Sequence, residues 1–138
     1  MKKISQSAGR ETYVLYDDVL PTLKKLKKRG LIVGLITSLT KDMNLICSNL
    51  GLAPYIDFVV TAKDTGANKP EPPIFLAALE RAGVNPSEAV YVGDQYETDV
   101  VGARRVSINP ILIDRYDICA EVSDCPRICT LAEVVKYI

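Results

Sequence analysis

The sequence predicts an α/β protein: a three-layer sandwich with helices covering both faces of a mostly parallel sheet. Three observations carry this. Short apolar runs rich in Val and Ile alternate with stretches whose apolar residues recur at helical spacing. The links between them are short and hold Gly, Pro, Asp and Asn. Residues 31–36 are apolar at every position except Gly34, the pattern of a strand covered on both faces. Strand and helix by turns, with short connections, imply parallel strands joined by crossover helices.

In chain order, Asp18 is the expected cap of a helix opening at Val19, with Pro21 in its first turn and Leu20, Leu23 and Leu26 at helical spacing. Lys24, Lys25, Lys27, Lys28 and Arg29 fall mostly on its outer side, read as a solvated face rather than a phosphate-binding cluster, and Gly30 ends it. Residues 31–36 follow as a buried strand. Thr37, Ser38 and Thr40 come next, and Met43, Ile46, Cys47 and Leu50 mark one face of a second helix stopped by Gly51. Residues 58–60 form a second strand. Beyond Gly66 and Lys69-Pro70, a helix is expected from about Pro73, with Phe75, Ala78, Leu79 and Ala82 inward and Gly83 closing it. Residues 89–92 form a third strand ending in Gly93-Asp94, residues 98–106 a helix and residues 111–113 a fourth strand. Thr130-Leu131-Ala132-Glu133 is a capping box opening the last helix, and residues 115–126 are the least structured stretch.

Composition narrows the function. A chain of 138 residues is one domain's worth, burying about 68% of its unfolded surface. Formal net charge is +0, so no field draws in nucleic acid or an anionic membrane. Without histidine, Ser-His-Asp and Cys-His catalysis and His-ligated metals are excluded, whereas oxygen-ligand chemistry stays open. The longest apolar run is far short of the roughly 20 residues of a membrane span. No hydrophobic signal core follows Lys2-Lys3, so a cytoplasmic location is expected. Cys47, Cys119, Cys125 and Cys129 then read as reduced, unliganded thiols.

In an open parallel sheet the ligand crevice lies beyond the carboxyl ends of the strands, where Thr37 and Asp94 fall. Asp99 follows Asp94 by five residues, so both carboxylates can turn toward one hard cation. A helix amino terminus beside them favours an anion. A hydroxyl, a lysine and two carboxylates at one sheet end describe a phosphate site. Singly, each has a blander reading: Asp94 as a turn residue, Asp99 as a helix cap, Lys69 as a solvated lysine, Thr37 or Ser38 as the cap of the helix at residues 41–50.

Taken in order, these segments resemble the haloacid dehalogenase superfamily, whose members are mostly magnesium-dependent phosphatases. Gly34-Leu35-Ile36-Thr37-Ser38 is similar to its second motif, whose hydroxyl holds a phosphoryl oxygen. The run from Asn68-Lys69-Pro70 to Phe75 resembles the third, whose Lys steadies negative charge. Val90-Tyr91-Val92-Gly93-Asp94 through Asp99 to Arg104 resembles the fourth, whose acidic pair binds magnesium or orients the Lys. The resemblance implies a Rossmann-like core over residues 17–138 and an N-terminal segment at residues 1–16. It implies Thr37 and Lys69 as catalytic residues, Thr37, Ser38 and Lys69 as substrate-binding, and Asp94 and Asp99 as ligands of Mg2+. The substrate class is a small phosphorylated metabolite, with no nucleic acid and no membrane as partner.

The family's first motif, a strand followed by Asp-x-Asp that supplies the nucleophile, has no counterpart upstream of Thr37, and the cap domain between them is missing too. Asp17-Asp18 is the nearest acidic pair, but it lacks the intervening residue. The chain alone is therefore expected to be inactive. A non-catalytic phosphate- or metal-binding module is a second reading. A receiver-like phosphoaspartate domain is a lesser one, opposed by motif order, since Thr37 and Lys69 precede Asp94. In the family the missing strand is central, so a gap is expected between the strands of residues 31–36 and 89–92. It can be closed by direct pairing of those strands, by insertion of residues 11–16, or by a second chain. A homodimer completing the sheet is the expected solution.

Overall fold

The computed structural model describes residues 2–5, 11–38 and 42–138. Thr40 lies outside them. Strands β1 (Lys2–Ser5) and β2 (Glu11–Val14) form an antiparallel hairpin with Lys2 opposite Val14. Helix α1 (Val19–Lys28) leads to β3 (Gly34–Thr37), and α2 (Met43–Asn49) to β4 (Phe58–Thr61). The short α3 (Ala62–Thr65) and then α4 (Pro72–Ala82) precede β5 (Val90–Gly93). After α5 (Val101–Arg105) come β6 (Asn109–Ile113) and β7 (Arg127–Ile128). β3 and β4 pair in parallel, as do β5, β6 and β7, in the order β5-β6-β7.

Helices lie on both faces, as the alternation predicts. On one face α4 buries Ile74, Phe75 and Leu79 against Val60, Ala103 and Ile108, with Ile36 and Tyr91 packed around them. Burying a side chain such as Phe75 contributes about 1.5–3 kcal/mol. A Cβ on Gly102 would lie 2.6 Å from the Phe75 ring, so only glycine lets α5 approach α4 this closely. On the other face Val19 and Leu23 of α1 join Met43, Cys47 and Leu52, while Leu26 also touches the cluster of Ile111, Ile128 and Val134. Both layers therefore bridge the two parallel sheets.

Several expectations need correction. The strand expected at residues 31–36 begins only at Gly34, and Leu31 and Ile32 remain 37% and 53% exposed. Side chains engage this backbone instead. Lys27 Nζ donates to the Leu31 carbonyl (2.8 Å) and to Asp57 (2.5 Å), whose carboxylate accepts from the Val33 N–H (2.7 Å). The helix expected at residues 98–106 is a wide π turn, Tyr96–Val100, followed by α5. The second helix is capped by Asp42, which accepts from the Asn44 and Leu45 N–H groups, and not by Thr37 or Ser38. The last helix is a 3-10 segment, Leu131–Tyr137, in which Glu133 reaches back to the N–H groups of Cys129 and Thr130. β7 was not expected, because two residues carry no readable period.

Asp18 does stand at the cap position of α1, but its carboxylate makes no bond to the helix. It accepts both arms of the Arg115 guanidinium (2.9 and 3.0 Å) and the Leu131 N–H (2.8 Å). Arg115 also lies 3.9 Å over the Tyr16 ring, and the Tyr16 and Tyr116 hydroxyls are 2.9 Å apart. The Arg115 hydrogen bond, ahead of the opposing effect of burial, holds the Asp18 carboxyl below its ordinary range. A lowered folded value stabilises above the unfolded carboxyl pKa of about 3.9, and that contribution fades as pH falls through the folded value. Arg115→Ala is expected to cost about 1–3 kcal/mol at neutral pH and progressively less in acid. Urea midpoints at neutral and acidic pH check this; a loss that stays constant on acidification argues against the ion pair as its source.

No ladder joins β3 to β5 among the described residues. Of the ways to close the gap, direct pairing of the flanking strands is not the one adopted here. Nor is insertion of residues 11–16, since β2 pairs with β1.

Candidate active site

Thr37 ends β3 and Asp94 follows β5, while Lys69 lies in the loop between α3 and α4 and Asp99 in the π turn after β5. Thr37 is half-buried, and Ser38 follows it. The Ser38 hydroxyl donates to Asn68 Oδ1 (2.7 Å), which also accepts the Lys69 N–H (2.8 Å). One amide oxygen thus binds the loop after β3 to the loop that presents Lys69. Asn68 lies within the quoted third motif, but nothing in its spacing announces this bridging role.

Lys69 Nζ donates to Asp99 Oδ1 (2.8 Å) and to the Tyr91 hydroxyl oxygen (3.3 Å), and the Tyr91 O–H donates to the same Asp99 oxygen (3.0 Å). Asp99 Oδ2 accepts the Gln95 N–H (3.1 Å). The lysine side chain is 17% exposed and that of Asp99 only 3%. A buried carboxylate is tolerated when its oxygens are matched by a cation and by donors, as these are. Burial, then the negative charge and hydrogen bond of Asp99, push the Tyr91 hydroxyl well above its ordinary range, so it stays protonated and donates. The Tyr91 ring also meets Phe75 edge-on, with centroids 5.1 Å apart, which anchors the cluster to the core. Tyr91 is the participant that sequence reasoning missed. Its alternation with Val90 and Val92 marks it as a strand residue, and its hydroxyl carries no local signal.

The backbone makes this geometry possible. A Cβ on Gly93 would stand 2.3 Å from Asp99 Cγ, so glycine is required for the carboxylate to fold across the strand end. The π turn at Tyr96–Val100 swings Asp99 inward, with the Asp99 N–H on the Gln95 carbonyl (2.8 Å). Such turns recur at functional sites.

Asp94 differs from its neighbour. It is exposed, and its charge adds only a minor rise to the Tyr91 hydroxyl pKa, which burial and Asp99 chiefly cause. The acidic pair thus divides: Asp99 is engaged with Lys69, Tyr91 and Gln95, and Asp94 is open at the strand end. Among the described residues no group of three acidic or cysteine side chains gathers as a metal cage. One open carboxylate still fits magnesium, which is commonly held by one or two carboxylates, waters and substrate phosphate oxygens.

The arrangement defines a class: an α/β protein with parallel strands and helices on both faces, in which a lysine is clamped by a buried carboxylate beside the end of a strand. The model of the haloacid dehalogenase-like hydrolases matches residues 2–107, and the chain belongs to that family. It is 38% identical over 109 residues to a ribulose-1,5-bisphosphate 5-phosphatase of Halopiger xanaduensis, covering 78% of this chain and 46% of that protein. To a glyceraldehyde 3-phosphate phosphatase of Methanopyrus kandleri it is 39% identical over 102 residues, covering 72% of this chain and 43% of that protein. Among solved structures, an HAD phosphatase from Thermococcus onnurineus superposes with a TM-score of 0.82 at 42% identity, covering 89% of this chain and 57% of that one. The chain spans less than half the length of the two sequence relatives.

Proposed function

We propose that this chain is the core of a phosphatase-type hydrolase acting on a small phosphorylated metabolite in the cytoplasm, with Mg2+ as cofactor. The observation that carries the reading is the ammonium of Lys69 clamped by Asp99 and Tyr91, in a chain similar to two proteins named as phosphatases. Among the described residues no helix is long and apolar enough to cross a membrane.

In this reading the Thr37 hydroxyl and the Lys69 ammonium receive phosphoryl oxygens, with Ser38 holding the adjoining loop through Asn68. Asp99 and Tyr91 keep Lys69 in one orientation, so no reorganisation is needed as charge develops on the phosphoryl group. Asp94 would hold magnesium, which when bound offsets the charge of the phosphoryl oxygens. The sequence contains no Asp-x-Asp to supply the family's nucleophile. The chain alone therefore binds without turning over. That property also describes the non-catalytic module, the second reading.

With Asp94 as its open carboxylate, the site is expected to bind magnesium with a dissociation constant on the order of millimolar. Titration calorimetry is expected to show this binding lost in Asp94→Asn and strengthened by inorganic phosphate. Tight binding that survives Asp94→Asn rejects the assignment.

A further inference from the structure

The turn after β6 is built on a buried carboxylate. Asp114 accepts the N–H groups of Ile118 (3.0 Å) and Cys119 (2.8 Å) and the Arg127 guanidinium (3.0 Å). Arg127 also binds Asp117 (2.7 Å), whose φ of 54° reverses the chain. A carboxylate matched by two backbone donors and a cation holds residues 114–119 in one shape. Arg115 and Tyr116 therefore leave the turn in set directions. Arg115 reaches back to Asp18 and lies over the Tyr16 ring, and the Tyr116 hydroxyl meets that of Tyr16.

Strand register sets where this turn stands. Gly93 of β5 is opposite Leu112 of the parallel β6, so Asp94 and the residues beyond Ile113 emerge at the same end of the sheet. The Tyr16 hydroxyl is raised by its bond to Tyr116 and by desolvation, and Asp94 adds a smaller rise, which places the phenol pair within electrostatic reach of that carboxylate. Tyr16 is half-buried beside α1, whereas Tyr116 is 71% exposed.

The chemistry of this rim selects what it can touch. Tyrosine offers an apolar ring face and, at its tip, a hydroxyl that both donates and accepts. Such a side chain suits the C–H face and the hydroxyls of a carbon chain. Charge disfavours a second anion there. Both arms of Arg115 are bound to Asp18, while Asp94 and the exposed Asp17, next to Tyr16 in the chain, are negative.

We propose that Tyr116 is a specificity-determining residue that contacts the organic part of the substrate, a neutral polyol or sugar bearing the phosphate, and that this rim rejects an organic part with a negative charge of its own. The inference rests on the phosphatase reading, because the phosphoryl group must sit at Lys69 and Asp94 for the rim to meet what it is attached to.

Titration calorimetry of the full chain with magnesium, using inorganic phosphate, glycerol phosphate and phosphoglycolate, tests this. Phosphoglycolate carries a carboxylate where glycerol phosphate has hydroxyls. Glycerol phosphate is expected to bind at least about fivefold more tightly than either of the others, the size of one added hydrogen bond with its ring contact. Tyr116→Ala is expected to shrink this preference to within about twofold, and Tyr116→Phe, which keeps the ring, to leave an intermediate one. Tyr116→Phe also decides the matter if Tyr116→Ala fails to fold. Equal binding of the three ligands by the unaltered chain overturns the subsite and leaves the phosphatase reading standing. So does a preference that survives both variants, or a loss in Tyr116→Ala that is equal for all three. Failure of the unaltered chain to bind any of them overturns the phosphatase reading, and this inference with it.

Discussion

Turnover of para-nitrophenyl phosphate by the purified chain with magnesium is expected to stay near the uncatalysed background. In the proposed reading Thr37 and Lys69 would polarise a phosphoryl group without forming a covalent intermediate, and absence of a catalytic nucleophile typically removes several powers of ten in rate. In that reading Lys69 and Thr37 would stabilise developing charge only once some atom attacks phosphorus. The nearest acidic pair is committed elsewhere in part, because Asp18 is bonded to Arg115 and Leu131. Steady-state assays with Asp17→Asn and Asp18→Asn controls check this. Robust turnover that disappears in either variant would promote that pair to the nucleophile's role and refute the expectation of inactivity.

The second large effect is on stability. Lys69→Met is expected to destabilise the fold by about 3–5 kcal/mol, the usual consequence of leaving a buried charge without its partner. Asp99 is 2% exposed as a residue, so water cannot replace the lost ammonium. Against a total stability of about 5–15 kcal/mol this is a large fraction. The double variant Lys69→Met with Asp99→Leu is expected to recover part of the loss, because it removes the stranded charge together with its desolvation cost. Tyr91→Phe deletes one hydrogen bond but leaves the ion pair and the ring contact with Phe75, so about 1 kcal/mol is expected. Urea unfolding midpoints of the four proteins decide the matter. A Lys69→Met cost below about 1 kcal/mol, the level of an exposed pair, is incompatible with this site geometry.

Local sequence determined the element order, because each signal acts over a few residues. Gly83 ends α4 with a φ of 67°, and the inward set of Phe75 and Leu79 follows from helical spacing. The same locality grouped Thr37, Lys69, Asp94 and Asp99 as an expectation, since a parallel sheet offers its site where its strands end, and of these the structure joins Lys69 to Asp99. Other features were decided by partners far along the chain. Asp18 has the residue type of a helix cap, yet a guanidinium 97 residues away takes its carboxylate. Asp99 is equally suited by type to a metal or to a lysine, and only the folding of its carboxylate across Gly93, toward Lys69 and Tyr91, separates the two. The strand expected from Leu31 lost its first three residues to Lys27 and Asp57, whose side chains bond to this backbone. Periodicity and turn chemistry are written in neighbouring residues, whereas the choice between competing hydrogen-bond partners depends on which side chains the finished packing brings within reach.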